Sequence, residues 1–104
     1  MPWKLWLDDQ WDEPEMPFRH PTEDFTPARS SAEAIQLVEE KGIPTFISFD
    51  HDLGGEDKAI AFINWLTEMH YDEVVPDYQI HSANPPGRDN IRAKMESWKK
   101  SQLL

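Results

Sequence analysis

Three short β-prone runs in this chain each end in a cluster of polar, chemistry-bearing residues. Residues 3–7 (Trp-Lys-Leu-Trp-Leu) run into Asp8 and Asp9, residues 45–49 run into Asp50, His51 and Asp52, and residues 78–80 run into His81, Ser82, Ala83 and Asn84. Helical patterns lie between the later runs, and strands that alternate with helices make a parallel sheet with crossover connections. In open α/β sheets ligands bind at the carboxyl ends of the strands. Asp8, Asp9, Asp50, Asp52, His81, Ser82 and Asn84 are therefore expected to converge, although they are far apart in sequence.

The remaining elements follow from local signals. Ser30-Ser31-Ala32-Glu33 has capping-box spacing ahead of Ala34, Ile35, Leu37 and Val38, with Gly42 as the stop, so a helix is expected over 31–41. Asp57 is expected to cap a second helix running to about His70, with apolar residues around much of its circumference. Pro85-Pro86-Gly87 leads into a last helix with Ile91, Met95 and Trp98 at helical spacing. Pro14, Pro17 and Pro21 exclude a regular helix from 10–23, which reads as a surface loop near the Asp pair. Residues 25–28 form at best an edge strand, because Pro27 removes a ladder donor. Trp3, Trp6, Trp65 and Trp98 are most simply core or near-core, while Trp11, Phe18, Arg19 and His20 sit on the loop and can cover a base.

The whole chain, 1–104, reads as one α/β domain with about four parallel strands and flanking helices. No apolar run approaches the roughly 18 residues of a membrane span, and no export signal is visible, so a cytoplasmic protein without membrane contact is expected. Zero cysteines leave any metal to oxygen or imidazole ligands. Twenty acidic against ten basic residues give a formal charge of −10, which repels phosphate backbones and argues against general nucleic-acid binding. A phosphorylated small molecule would need a local cation.

An aspartate pair after the first strand, an aspartate after the third and a hydroxyl residue followed by Ala after the fourth resemble a response-regulator receiver. Here these are Asp8-Asp9, Asp50 and Ser82-Ala83. More specifically, Leu7-Asp8-Asp9, the run Ser48-Phe49-Asp50-His51-Asp52-Leu53-Gly54 and the run Ile80-His81-Ser82-Ala83-Asn84-Pro85-Pro86-Gly87 resemble the divergent cyclic-phosphate processing receiver domains. The likeness covers nearly the whole chain and implies a truncated, flavodoxin-like sheet. Two departures from ordinary receivers stand out: the proline-rich stretch replaces the first helix, and no fifth strand carries the phosphate-binding lysine. Phosphoacceptor signalling is weakened accordingly. The resemblance implies instead a hydrolytic role on cyclic or linear nucleotide phosphates.

The residues themselves indicate how that chemistry would run. Carboxylates gathered at strand ends repel unless a cation or proton sits among them, so Asp8, Asp9, Asp50 and Asp52 are candidate ligands for Mg²⁺ or Mn²⁺. His81 and His51 are candidate proton donors to a departing alkoxide. Ser82, Asn84 and Arg88 are expected to hold phosphate oxygens, helped by free backbone N–H groups at the start of the last helix. Water supplied at the metal is the expected nucleophile, with Asp50 as the alternative. A non-catalytic module that binds a protein partner or sequesters a cyclic nucleotide is the competing reading; turnover distinguishes the two.

Overall fold

Along residues 4–7 the side chains alternate as a strand requires: Leu5 and Leu7 are fully buried toward the helices, and Trp6 turns to the opposite side. This strand, β1 (Lys4–Leu7), lies between β2 (Phe25–Ala28) and β3 (Phe46–Phe49), and β4 (Asp77–Ile80) completes the sheet beyond β3. All pairings are parallel, with Leu5 opposite Ile47 and Leu7 opposite Phe49. The order β2-β1-β3-β4 is the flavodoxin-like order without its fifth strand. Pro27 is tolerated because β2 is an edge. The computed structural model describes residues 2–82 and 84–103; Ala83 lies outside them, as does the side chain of Phe18.

Three helices complete the chain: α1 (Ser31–Lys41), α2 (Ala59–Met69) and α3 (Pro85–Ser101). The connections from β2 to β3 and from β3 to β4 step across the sheet in the same direction, so right-handed crossovers put α1 and α2 on one face. α3 packs against α2 and joins them there. Ala34, Val38, Phe62, Ile63, Leu66, Ile91, Met95 and Trp98 bury themselves on that face against Leu5, Leu7, Ile47 and Phe49. The step from β1 to β2 runs the other way, which sends the proline-rich segment over the opposite face, where Phe25 makes T-shaped contacts with Trp6 and Phe46. That segment is a series of turns ending in a short 3-10 helix at Pro17–Arg19, in keeping with its prolines. Among the described residues no helix is long and apolar enough to cross a membrane.

The start of α1 forms as its residues direct, with Ser30 Oγ accepting from the Glu33 N–H at 3.1 Å and Gly42 closing the helix at φ 85°. The expected cap of α2 by Asp57 does not form. Lys58 occupies the α2 N-cap without a side-chain capping bond, and the Asp57 carboxylate turns to α1, accepting from Ser31 N at 2.9 Å and Ser31 Oγ at 2.5 Å. The free amides and positive end of α1 lie within reach of this loop and take the carboxylate. Asp57→Ala is thus expected to cost about 1 kcal/mol, the usual value of a lost cap. Urea unfolding measures it, and protection of the first-turn amides of α1 from hydrogen exchange should fall while that of α2 stays unchanged.

Candidate functional site

The ladder hydrogen bonds run one residue past the strands and fix the site's backbone. Asp8 N donates to Ala28 O at 3.0 Å, Asp50 N to Leu7 O at 2.9 Å and His81 N to Phe49 O at 2.9 Å. Strand alternation then aims the Asp8 and Asp50 side chains to the Trp6 side, away from the helices. Connections leave β1 and β3 in opposite directions, which opens a crevice at the topological switch point of the sheet. There Asp8, Asp9 and Asp50 each offer a carboxylate oxygen, all within 4.8 Å of one another. Asp8 and Asp50 are buried and Asp9 is half-buried. Gly54, at φ 91°, passes so close that a Cβ there would stand 3.2 Å from Asp9 Oδ2.

A cation from the chain itself sits in this cluster. Arg19, at the end of the 3-10 turn, donates from Nε to Asp8 Oδ1 and Oδ2 at 3.0 and 2.8 Å. Its Nη2 donates to Asp8 Oδ1, to Asp50 Oδ2 at 2.5 Å and to Asp9 Oδ1 at 3.4 Å. Nη1 donates to Gln10 Oε1 at 3.1 Å, and the Arg19 carbonyl accepts from Trp6 Nε1 at 2.8 Å. The sequence alone puts Arg19 on the loop and not among the carboxylates. Its signal is that it is the only Lys or Arg between Gln10 and Glu23, beside an aspartate pair that must be compensated.

These contacts divide the carboxylates. Burial pushes the Asp8 carboxyl up, but hydrogen bonds from His81, Arg19 and the Gln10 backbone outweigh burial and hold it at about 2. Asp50 moves the other way: burial, reinforced by the Asp8 charge, raises it despite Arg19. Burial also raises Asp9, and there the Arg19 charge opposes the rise. Asp8 is thus the carboxylate held in its charged form, while added positive charge relieves both Asp9 and Asp50.

The other expected site residues fall in three places. Asp52, Ser82 and Asn84 line the same open cleft of about 340 Å³ as Asp9, Asp50 and Arg19. Asp52 is exposed and paired with Lys58 at 2.6 Å, outside the compact group of three carboxylates. His81 reaches the cluster from beneath: Nε2 lies 3.0 Å from Asp8 Oδ2, Nδ1 lies 2.8 Å from Ser48 Oγ, and the ring stacks on Trp6 at 4.4 Å. Both ring nitrogens are engaged inside the protein. That geometry orients Asp8; donating a proton to a ligand would require the bond to Asp8 to open. His51 lies on the helix side, its buried ring packed under Gly87, and is absent from the residues lining the cleft.

Among the described residues, the start of α3 leaves no free backbone amide for the expected anion site. Pro85 and Pro86 have no N–H, Gly87 N donates to Asn84 Oδ1 at 3.2 Å, and Arg88 N donates to Asn84 O at 2.9 Å. Arg88 is exposed and does not line the cleft. Ser82 Oγ accepts from Asn84 N at 3.2 Å, which leaves its hydroxyl hydrogen without an acceptor among the described residues.

Asp8, Asp9 and Asp50 are the residues that could hold a hard divalent cation, since carboxylate oxygens are the ligands such an ion takes and one from each lies within 4.8 Å of the others. The guanidinium already among them shows that the carboxylates are arranged around a positive centre. No curated protein and no solved structure gives a match to the chain. The family model described as the cyclic-phosphate processing receiver domain matches residues 3–97, and with the truncated receiver-type sheet and the aspartates at the ends of β1 and β3, the chain belongs to that family.

Proposed function

We propose that this domain is a phosphoesterase acting on cyclic or linear phosphates of nucleotides, with Mg²⁺ or Mn²⁺ held by Asp8, Asp9 and Asp50. The observation that carries this reading is the set of three carboxylates with oxygens within 4.8 Å at the switch point of a family tied to cyclic-phosphate processing. Bound there, the cation supplies charge compensation for the phosphate and polarises the ester. The chain's own groups supply the rest. His81 holds Asp8 charged and fixed in direction. The Ser82 hydroxyl and the Asn84 amide border the cleft where phosphate oxygens would lie, and Trp11, stacked under the Arg29 guanidinium at 5.0 Å, stands on the loop beyond. Asp50, buried beside Asp8, is a ligand first and the alternative nucleophile.

One observation favours a second reading, sequestration of the nucleotide without cleavage: among the described residues, no imidazole lines the cleft to serve as general acid. Turnover decides between them. Cyclic mono-, di- and trinucleotides and 2′,3′-cyclic phosphates are incubated with the protein and Mg²⁺ or Mn²⁺, and products are resolved by chromatography. Cation-dependent product is expected with at least one class and should fall by 10² or more in Asp50→Asn, the scale of losing electrostatic stabilisation at phosphorus. Saturable binding with no product from any class would establish the sequestering reading instead.

A further inference from the structure

Every guanidinium nitrogen of Arg19 donates to this protein's own acceptors, and two of the three carry their bonds to the oxygens of Asp8, Asp9 and Asp50. Those are the three carboxylates that would hold a divalent cation, and Arg19 engages both oxygens of Asp8. A guanidinium and a metal ion cannot both stand within bonding distance of the same carboxylate atoms, because their mutual repulsion adds to the steric exclusion.

We propose that Arg19 is a tethered counter-cation that fills the Asp8–Asp9–Asp50 pocket in the absence of a divalent ion and is driven out when the ion binds, turning toward the phosphate of the ligand. This rests on the reading of the three carboxylates as the metal set. Charge counting shows what the exchange achieves. With Arg19 inside, three carboxylates and one guanidinium leave two uncompensated negative charges, and the guanidinium nitrogens are all turned to the protein's own acceptors. A phosphate is repelled from such a site. With the divalent ion inside, the cluster keeps one negative charge, which the released guanidinium balances from just outside it. Arg19 is then the only Lys or Arg among the residues lining the cleft, and its planar fork matches a phosphate.

The geometry confines the released side chain. Trp6 Nε1 holds the Arg19 carbonyl at 2.8 Å, and the 3-10 turn adds backbone bonds from Arg19 N to Met16 O and from His20 N to Pro17 O. The backbone at position 19 therefore stays beside the cleft while the side chain exchanges partners. Metal binding and phosphate binding are coupled through it, and the apparent metal affinity of the wild type is lowered by the fraction of molecules in which Arg19 occupies the pocket.

The test compares the wild type with Arg19→Gln by titration calorimetry with Mn²⁺. The variant is expected to bind Mn²⁺ at least ten-fold more tightly and to show the larger metal-induced rise in melting temperature, because nothing has to be displaced. Equal or weaker Mn²⁺ binding by Arg19→Gln, with the wild type still binding, overturns the competition and leaves the metal set standing. Absence of Mn²⁺ binding in both proteins overturns the metal set and the competition with it. A readout on the wild type itself does not depend on the variant folding: the Arg19 Nε–H resonance should be protected from exchange in metal-free protein and lose protection as Mg²⁺ is added. Protection that survives Mg²⁺ saturation also overturns the exchange. Inorganic phosphate added with saturating Mg²⁺ should bind the wild type at least ten-fold more tightly than Arg19→Gln; equal binding overturns the handover to phosphate.

Discussion

Replacing Asp8 by Asn is expected to destabilise the metal-free protein by about 3 kcal/mol, the low end of the range for breaking a buried charge network. Asp8 is fully buried, and its two oxygens accept from Gln10 N, from Arg19 Nε and Nη2 and from His81 Nε2. An amide in its place can accept on one side only and turns an NH₂ toward donors on the other. Relief of repulsion with Asp50 works in the opposite sense, so magnitudes must decide. The Asp8 carboxyl held at about 2, against an ordinary 3.8, already includes the cost of burial and the Arg19 charge and corresponds to about 2 kcal/mol in favour of the charged form, while the repulsion with Asp50 is carried by the rise of Asp50. Retention of the charge wins.

The pH dependence follows in sign. A carboxyl with a lowered folded value contributes stability that is fully present above its ordinary value and lost as pH falls toward 2. The Asn variant lacks that contribution, so the gap between the two proteins should narrow by about 2 kcal/mol between pH 5 and pH 2. Asp9 and Asp50, both raised by burial, act in reverse and at higher pH, where taking up a proton favours the folded state. The Asp8 charge contributes to both rises, so they are smaller in the Asn variant and enter the difference between the two proteins as well as the shape of each curve. Urea unfolding at several pH values measures all of this. Equal stability of Asp8→Asn and wild type at pH 7 would show that the Arg19 and His81 bonds give no net stabilisation.

Gly87→Val is expected to destabilise the fold by about 3 kcal/mol or more, and Gly87→Ala by about 1 to 3 kcal/mol. The cause is a close approach, not backbone conformation. A Cβ at 87 would stand 2.4 Å from His51 Cγ and 2.6 Å from Nδ1, and that ring is buried between the end of β3 and the first turn of α3. Alanine's better helix propensity, worth about 1 kcal/mol, does not offset an overlap of this size with a rigid ring. His51 Nδ1 is itself buried without a hydrogen-bond partner, 3.4 Å from Asp52 Oδ1, so the ring has no polar anchor that rewards moving. A double-mutant cycle isolates the contact: in a His51→Ala background, Gly87→Ala should cost at least 1 kcal/mol less than in the wild type. Additive costs would place the strain elsewhere in α3. This contact also supplies a physical reason for the pairing of His51 with Gly87 across two separate motifs: the glycine lets α3 start directly against the imidazole.

Much of the architecture is dictated by residues close together in sequence. The alternation through Leu5, Trp6 and Leu7, the capping serine before α1, the glycine after it and the Ile91, Met95 and Trp98 stripe in α3 are local patterns, and each produces its element at nearly the expected bounds. Pro27 marks an edge for an equally local reason, a missing N–H. The same logic puts Asp8, Asp9 and Asp50 together, because parallel strands joined by crossovers can only deliver their carboxyl ends to one edge. The blocked amides at the start of α3 are legible as well, in Pro85 and Pro86 themselves. Partner choice is different in kind, since it depends on which distant group a side chain meets once the layers have packed. Asp57 is a capping residue by type, yet only the path of the loop after β3 gives it to α1 instead of α2. His51 follows an aspartate that faces the cleft, and one step of strand alternation sends it under Gly87 instead. Arg19 reaches the carboxylates because the step from β1 back to β2 lays the proline-rich segment over the Trp6 face, where the indole N–H fixes its backbone above the pocket. No local rule selects one side chain from a loop without a period; the tertiary fold makes that choice, and with it places a guanidinium among the three carboxylates.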